Sequence, residues 1–299
     1  MAENPTIIAL VTVDAARTLD EDLAPLDAAL VGQGMTVEQP SWDDPSVDWS
    51  RYALALLRST WDYVDRLPEF LAWVEATARE TLLLNPPALV RWNTDKRYLA
   101  ELAARGLPVI PSTFAVPGGP VEFPESVEWV VKPAVGAGSR GARRFTRDQE
   151  DAARQHAAAL QAAGRTVLVQ PYLSSVEQRG ETALMFFDGA YSHAIRKGPL
   201  LRVDGGDVQG LYATEDITTR AATADELVVG ARTVVSIPGG APLYARVDLI
   251  AAADGTPQIL ELELTEPSLF FAHAPGSADR FAAAIRRRVG MVACLVGNE

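Results

Sequence analysis

The sequence predicts an α/β protein in which an N-terminal parallel sheet is followed by α+β modules. The first observation is a β-branched run at 7–13, then a helical pattern and a strand at Thr36–Gln39, which is how a parallel sheet opens. The second is a shift in composition at 110–126, where proline and glycine mark a connection. The third is a pair of hairpin signals beyond it, Asp188-Gly189 and Asp254-Gly255. Parallel pairing is therefore expected before the connection and tight-turn pairing after it.

Hydrophobic periodicity predicts the N-terminal elements in order. The first helix ends at Gly32, and its apolar side consists of Leu23, Leu26, Leu30 and Val31. The later elements are a buried strand at Tyr52–Leu57, a helix at 68–79, a strand at Leu82–Leu84 and a helix at about 93–105. Gly106, with Pro108 beyond it, is a typical signal for the end of that last helix.

Capping signals define the elements beyond the connection. A strand is predicted at Glu128–Lys132, and Thr146 with Gln149 forms a capping box for a helix that reaches about Gly164. A final amphipathic helix starts at Ser277. Its apolar side consists of Phe281, Ile285, Val289 and Val292.

The composition is that of a packed globular protein with an acidic surface. Of 299 residues 48% are apolar, and 39 acidic residues outnumber 27 basic ones for a net charge of −12. Such a charge repels phosphate backbones, so nucleic acid is disfavoured as a partner. The single cysteine, Cys294, cannot form an internal disulfide. No apolar run reaches the roughly 18 residues of a membrane span and the N-terminus lacks a basic signal-peptide start, so we expect a cytoplasmic protein with no membrane partner.

A polar and aromatic segment, Arg58-Ser59-Thr60-Trp61-Asp62-Tyr63, follows the third predicted strand. In parallel α/β sheets, ligands bind beyond the carboxyl ends of the strands. The segment is therefore a candidate ligand site, and a solvated loop closed by a tryptophan is the alternative.

An acidic hairpin is expected around Asp254-Gly255. If these two residues form the turn, Asp248 lies opposite Glu261 and Arg246 opposite Glu263, and all four side chains project to one side. The other side is apolar and consists of Val247, Leu249, Leu260, Leu262 and Leu264. Three carboxylates this close repel each other unless a cation neutralises them, and oxygen ligands without nearby histidine or cysteine suit Mg²⁺ or Mn²⁺. The alternative is a solvated sheet face, where glutamate and arginine are common.

A glycine-rich loop, Gly136-Ala137-Gly138-Ser139-Arg140-Gly141, follows the strand at Glu128–Lys132. A lone match to GxGxxG is a weak signal, and its dinucleotide-binding form needs a helix that starts at the loop. Because the predicted helix starts only at about Thr146, the loop is expected to be the tip of a hairpin. Such a flap can fold its bare amides over phosphates, with Lys132 as a point charge at its hinge. A plain glycine-rich turn is the alternative.

The order of these features resembles the ATP-grasp ligases. A lysine-bearing strand, a glycine flap, a linker strand and an acidic hairpin follow one another from about Trp92 to the end. The resemblance implies three domains: an N-terminal α/β domain at 1–90, a central lid subdomain at 91–175 that includes a hinge at 169–173, and a C-terminal subdomain at 176–299 with the metal site. The two ATP-grasp subdomains would enclose ATP.

The resemblance also implies the nucleotide contacts. Lys96, in NTDKRYL, is similar to the first nucleotide lysine, and Lys132, in VVKP, to the second. Lys197 is similar to the cation that meets the γ-phosphate, although the adjacent Arg196 is an alternative. Glu181 matches the residue that holds the ribose hydroxyls, with Glu177 as the alternative. The flap and hinge contacts are Gly136, Gly138, Ser139, Gln170, Tyr172 and Leu173, and many members have glutamate in place of Gln170.

The acidic hairpin resembles the metal site of the family. Asp248, Glu261 and Glu263 are similar to the magnesium ligands, although the family usually has asparagine at the third position. Arg246 resembles the arginine that stabilises the oxyanion of the tetrahedral intermediate. The resemblance therefore implies ATP and Mg²⁺ as cofactors, Mn²⁺ as a substitute, and Arg246 and Lys197 as catalytic cations.

Three longer stretches, RSTWDY, FFDGAYSHAIRK and ELELTEPSLFF, are most similar to the cycloserine synthetase branch. That branch implies a cyclo-ligase, which activates a carboxylate as an acyl phosphate and closes an isoxazolidinone ring from O-ureido-D-serine. The candidate contacts to this small zwitterionic substrate are Arg58, Asp62, Arg202 and Ser268. The sequence is compatible with a homo-oligomer.

Three other functions stay open. An intermolecular ligase of the same family would join an amino acid to a separate amine. A dinucleotide-dependent oxidoreductase would use the GxGxxG loop and needs a helix at Gly141. A nucleotide-binding regulatory module is disfavoured, because the full set of cations and carboxylates is present.

Overall fold

The structure is a computed structural model that describes residues 6–203, 211 and 215–296, with only the backbone for 292–296. The first part of the chain alternates strands and helices: β1 (Ile7–Thr12), α1 (Leu23–Gly32), β2 (Thr36–Glu38), β3 (Leu54–Ser59), α2 (Leu67–Glu80), β4 (Leu83–Leu84), α3 (Pro87–Asn93) and α4 (Tyr98–Ala104). The four strands pair in parallel in the order β2-β1-β3-β4. The predicted N-terminal parallel sheet is therefore confirmed.

Two N-terminal details differ from their predictions. The strand expected at Tyr52–Leu57 runs from Leu54 to Ser59, so Arg58 lies inside β3 rather than in the loop after it. Val31, expected on the apolar side of α1, is 56% exposed, whereas its neighbour Leu30 is fully buried. Successive residues of a helix point about 100° apart, so the buried side of α1 does not extend to Val31.

The helix expected at about 93–105 is divided into α3 and α4. Between them the backbone N–H of Lys96 donates to the carbonyl of Ala134, at 2.9 Å, instead of continuing a helix. This bond joins the break in the helix to the strand that precedes the glycine loop.

A second sheet contains the glycine loop. Its elements are β5 (Thr113–Ala115), β6 (Glu128–Pro133), β7 (Arg143–Thr146), α5 (Glu150–Ala162) and β8 (Val167–Pro171), with antiparallel strands in the order β5-β8-β6-β7. The loop joins β6 to β7, which confirms the predicted hairpin. Since a strand and not a helix follows Gly141, the dinucleotide-dependent alternative lacks the helix it requires. The capping box of Thr146 and Gln149 is present in both halves.

A third, antiparallel sheet carries the acidic hairpin. The remaining elements are α6 (Val176–Arg179), β9 (Glu181–Phe187), β10 (Ala190–Lys197), β11 (Ile217–Arg220), α7 (Ala224–Val235), β12 (Tyr244–Ala251), β13 (Pro257–Glu263) and α8 (Ser277–Val296), and the strand order is β11-β10-β9-β12-β13. The hairpin predicted at Asp188-Gly189 joins β9 to β10, and both turn residues have positive φ, 53° and 79°. The predicted domain boundaries at 90/91 and 175/176 stay predictions.

The largest buried cluster joins the first and third sheets. It combines Leu10 of β1, Leu30 of α1, Phe187 of β9 and Phe281 and Ile285 of α8. Val289 packs against this cluster, as expected for the apolar side of α8, and the side chain of Val292 lies outside the described residues. Among the described helices, none combines the length and the apolar character that a bilayer crossing needs.

Candidate active site

A cavity of about 380 Å³ is lined by residues from the second and third sheets and by loops that follow strands of the first sheet. Most of the predicted site residues line it: Lys96, Lys132, Gly136, Gly138, Ser139, Gln170, Tyr172, Leu173, Glu181, Lys197, Arg246, Asp248, Glu261, Glu263 and Ser268. The chain contains only three lysines, and all three are in this set. All the lysines of this acidic protein therefore lie at one site.

The acidic hairpin has the predicted pairing around its charged residues. Arg246 lies opposite Glu263, and Asp248 lies opposite Glu261. The turn, however, is not the two-residue turn expected, because the N–H of Ala252 donates to the carbonyl of Thr256, at 2.7 Å, across a three-residue loop. A bulge after Asp248 restores the register.

The bulge changes the side on which one leucine lies. Leu249 pairs with Ile259, and Asp248 pairs with Glu261, so Leu260 is the extra residue between them. Ile259 is fully buried in the core, whereas Leu260 lines the cavity. The prediction that Leu260 faces the core was therefore wrong.

The cavity has an apolar end and a charged end. Leu260 packs against Ile110, Val176 and Ile250, with Tyr172 and Leu173 of the hinge beside them. This end contains no carboxylate or lysine among the residues that form the cluster. It offers an apolar environment next to β8, whose Gln170 and Pro171 also line the cavity.

Lys197 and Arg246 neutralise one part of the charged end. The Nζ of Lys197 lies 2.8 Å from Asp248 and 3.0 Å from Glu181, and Arg246 contacts both Asp248 and Glu263. Arg196, the alternative to Lys197, instead donates its Nε to the carbonyl of Arg179, at 3.0 Å. The structure therefore brings Lys197, and not its neighbour, to the carboxylates.

Lys96 and Lys132 converge on the remaining hairpin carboxylate. The Nζ of Lys96 lies 2.9 Å from Glu261, and that of Lys132 lies 3.9 Å from it. Lys96 also donates to the carbonyl of Gly136, at 2.7 Å, which ties the glycine loop to the hairpin. The same loop is held at Arg140, which pairs with Asp65 at 2.8 Å.

Burial and neighbouring charge act in opposite directions on these groups. Burial raises the pKa of Asp248, but Arg246 and Lys197 outweigh it and hold the pKa below its ordinary value. Glu261 behaves in the same way, because Lys96 and Lys132 outweigh its burial. Burial lowers the pKa of Lys132 despite the attraction of Glu261.

Glu263 differs from the other two carboxylates, although it also contacts Arg246. Burial raises the pKa of Glu263 to about 8, and the nearby charges of Glu261 and Asp248 add to that effect. The contact and the raised pKa are compatible, because Arg246 divides its attraction between Asp248 and Glu263. Glu263 therefore keeps its proton at a pH at which Asp248 and Glu261 are ionised.

The donor chemistry of the hairpin suits a hard divalent cation. Asp248, Glu261 and Glu263 offer only oxygen atoms and lie on the same side of the sheet. In the described part of the chain, no three Asp, Glu, His or Cys side chains already converge on one metal position. The three carboxylates instead bind Lys96, Lys197 and Arg246, so a metal would have to take over these contacts.

Four candidates do not line the cavity. Arg58 is buried in β3, where it donates to the carbonyl of Pro267 at 3.1 Å. Asp62 accepts hydrogen bonds from Trp42 and Arg66. The side chain of Glu177 binds Tyr172 and Arg144, and Arg202 is exposed away from the lining. Of the two ribose candidates, only Glu181 therefore faces the cavity.

Sequence reasoning missed the residues that hold the end of the acidic hairpin. Tyr63 and Glu266 both line the cavity and are 4% and 8% exposed. Their hydrogen bond joins the hydroxyl of Tyr63 to the carboxylate of Glu266, and the Nε1 of Trp61 donates to the Glu266 carbonyl at 3.3 Å. The RSTWDY segment was a signal for a site here, but the residues that reach it are Trp61 and Tyr63.

Comparison with known proteins identifies the family. Residues 8–85 match the family described as D-cycloserine synthetase DcsG, N-terminal domain. The cycloserine biosynthesis protein DcsG of Streptomyces lavendulae is 42% identical over 297 residues, which are 95% of this chain and 99% of that protein. The chain belongs to the DcsG family. A crystal structure of D-cycloserine synthetase DcsG matches with a TM-score of 0.88 and 41% identity, over 95% of this chain and 99% of that one.

A more distant structure shares the fold. The ATP-grasp ligase PsnB, complexed with minimal precursor, Mg and ADP, has a TM-score of 0.60 and 18% identity over 97% of this chain and 99% of that one. Membership in the DcsG family confirms the ATP-grasp resemblance, the mixed α/β fold class and the prediction of an ATP-dependent ligase. The roles of individual residues stay predictions.

Proposed function

We propose that the chain closes O-ureido-D-serine into D-cycloserine, with ATP converted to ADP and phosphate and with CO₂ and ammonia released. The observation that carries this proposal is the 42% identity, over 95% of the chain, to a cycloserine biosynthesis protein. The cavity supports it, because it combines an apolar end with a charged end that gathers every lysine of the chain.

In the first step a carboxylate oxygen of the substrate attacks the γ-phosphorus of ATP, and ADP leaves. Both reactants are anionic, so the chief task of the protein is to offset their repulsion. Lys132, Lys197 and Arg246 supply positive charge from three different strands. The apolar cluster around Leu260 suits the adenine ring, and Glu181, which lines the cavity, would accept hydrogen bonds from the ribose.

The metal belongs to this proposal. Asp248, Glu261 and Glu263 would hold Mg²⁺, with Mn²⁺ as the substitute, and the metal would neutralise charge on the phosphates. Glu263 in place of the usual asparagine adds one carboxyl group to the site, and burial raises its pKa to about 8.

In the second step an amine attacks the acyl phosphate and phosphate leaves. The amine is the aminooxy nitrogen of the same molecule, which becomes free when water hydrolyses the ureido group to CO₂ and ammonia. Arg246 would stabilise the negative charge that develops on the carbonyl oxygen. Holding both reacting ends of one molecule in a ring-like conformation contributes to the rate as effective molarity.

The glycine loop would protect the intermediate. Two contacts hold this loop in position: Lys96 donates to the carbonyl of Gly136, and Arg140 of the loop pairs with Asp65. Water excluded in this way cannot hydrolyse the acyl phosphate. A cytoplasmic location, where ATP is available, is part of the proposal, whereas a homo-oligomer stays a prediction from the sequence.

One experiment separates cyclisation from the intermolecular alternative. ADP release is measured with O-ureido-D-serine, its L-enantiomer and a panel of amino acids, with and without an added amine, and the products are identified by mass. The proposal requires D-cycloserine from O-ureido-D-serine alone. ADP release that depends on a second amine, with a linear amide as product, would contradict it and support the intermolecular ligase.

A further inference from the structure

Glu266 is a buried carboxylate that forms no salt bridge within the described part of the chain. It follows β13, is 8% exposed and lines the cavity. None of the described lysine, arginine or histidine nitrogens lies within 4.0 Å of its carboxylate. Four other carboxylates that line the cavity each have a cation within that distance: Glu181, Asp248, Glu261 and Glu263.

The protein fixes Glu266 with a hydrogen bond and not with a salt bridge. The hydroxyl of Tyr63 hydrogen-bonds the carboxylate, and Trp61 binds the carbonyl of the same residue. Tyr63 is itself held by a stacked contact with Phe70, with the ring centroids 5.0 Å apart. Burial raises the pKa of Glu266 to about 7, although the hydrogen bond from Tyr63 and the positive charge of Lys96 act in the opposite direction.

The proposed substrate carries the missing charge. An amino acid has an ammonium group as well as the carboxylate that reacts, and the lysines and Arg246 can bind only its anionic part. A buried ammonium needs an anion and hydrogen-bond acceptors. The carboxylates of the acidic hairpin are already bound to cations, and in the loaded site a metal would bind them.

We propose that Glu266 binds the α-ammonium group of the amino-acid substrate, with Tyr63 as the residue that positions its carboxylate. This inference rests on the proposed function and adds a determinant of substrate choice to it. Glu266 and Tyr63 then form the wall of the cavity that requires an α-amino acid rather than a simple carboxylic acid.

The test compares two substrates that differ only in the amino group. These are O-ureido-D-serine and 3-(ureidooxy)propanoate, which lacks it and would close to unsubstituted isoxazolidin-3-one. In the wild type we expect kcat/KM to favour the amino compound by about 100-fold or more, as for a buried charge pair. Glu266→Gln should raise KM for the amino compound and reduce this ratio to about 10 or less, with the KM for ATP nearly unchanged. Because the ratio compares substrates in one preparation, a partly unfolded variant does not alter it.

Two further variants complete the test. Tyr63→Phe should raise KM for the amino compound by about 10-fold while kcat changes less, because it removes only the hydrogen bond that positions Glu266. Glu80→Gln removes one carboxylate from the exposed end of α2 and should leave the ratio as in the wild type.

Each outcome decides the inference. A ratio that stays at the wild-type value in Glu266→Gln overturns it and leaves the proposed function intact, provided that the wild type forms D-cycloserine. A large change in the Mg²⁺ requirement with an unchanged ratio also overturns it, because Glu266 would then be a metal ligand. If the wild type forms no cyclic product from either compound, the proposed function fails and this inference fails with it.

Discussion

Arg246 donates two hydrogen bonds to Asp248, two residues further along β12: its Nε reaches Oδ1 at 2.9 Å, and its Nη2 reaches Oδ2 at 3.0 Å. Such a two-point contact fixes the plane of a guanidinium group. A third hydrogen bond, from Nη1 to the carbonyl of Ser268 at 3.2 Å, ties the same group to the segment after the hairpin. Arg246 is thus held rigidly among the proposed metal ligands.

This rigidity leads to the first prediction. Arg246→Ala should lower kcat by about 10²–10³, the usual loss for one preorganised donor to an oxyanion, while ATP binds almost normally. Arg246→Lys keeps the charge but lacks the planar fork, so it should recover only part of the rate. Steady-state kinetics and the melting temperature are measured on the same preparation. A stable Arg246→Ala variant with near-normal kcat would mean that Arg246 only neutralises the strand face.

The second prediction concerns the metal. Glu261→Gln should abolish turnover in Mg²⁺ and leave the fold intact, because Glu261 faces the cavity and contacts lysines rather than the core. Circular dichroism and ADP release are the two measurements. Glu101→Gln, on the exposed side of α4, is a control that should keep full activity. Wild-type activity of Glu261→Gln in Mg²⁺ would remove Glu261 from the metal site.

The third prediction concerns nucleotide binding. Lys132→Ala should weaken ATP binding by about 10- to 100-fold, since a charged hydrogen bond to phosphate is lost. Calorimetry with ATP and Mg²⁺ measures the dissociation constant directly. Arg147→Ala, close to the base of the same hairpin but outside the cavity lining, is the matched control. Equal ATP affinity in Lys132→Ala and the wild type would contradict the phosphate-flap interpretation.

The fourth prediction is a pH dependence of stability. The carboxyl pKa of Glu266 is raised from 4.5 to about 7, so between these values the folded protein binds a proton that the unfolded chain has lost. The free energy of unfolding should therefore fall as the pH rises through this range, by about 3 kcal/mol from this group. Glu266→Gln lacks the titrating carboxyl group and therefore this decrease. The difference in free energy of unfolding between Glu266→Gln and the wild type should therefore shift in favour of the variant from pH 4.5 to pH 8. Urea unfolding without nucleotide measures both proteins, and a pH-independent difference would show that Glu266 has no raised pKa.

The pairing predicted for the charged residues of the hairpin is correct because two errors, one in the turn length and one in the strand register, cancel each other. The turn is one residue longer than assumed, and the bulge at Leu260 compensates for it, so Asp248 still faces Glu261. Nothing local shows this, because the bulge places Ile259 in the core and Leu260 in the cavity, and both residues are equally apolar. Periodic patterns define elements, whereas the register within them depends on packing.

For the substrate contacts, the sequence indicated the correct segment but not the residues that reach the cavity. RSTWDY indicated a site at the end of β3, but the one-letter pattern does not show which side chains point toward the ligand. Arg58 is buried under the segment after the hairpin, where it contacts Pro267, while Tyr63 reaches Glu266 more than 200 residues away in the sequence. Such a contact between distant parts of the chain follows from tertiary packing, so no local rule predicts it.

Because all three lysines line the cavity, covalent labelling of lysine can measure whether the site is occupied. An amine-reactive reagent finds only Lys96, Lys132 and Lys197 besides the α-amino group, since the other cationic side chains are arginine and histidine. Acylation of any of the three would alter the site itself, and a nucleotide bound there would shield them. The mass added to the intact chain, with and without ATP, therefore reports occupancy of the site without any measurement of turnover.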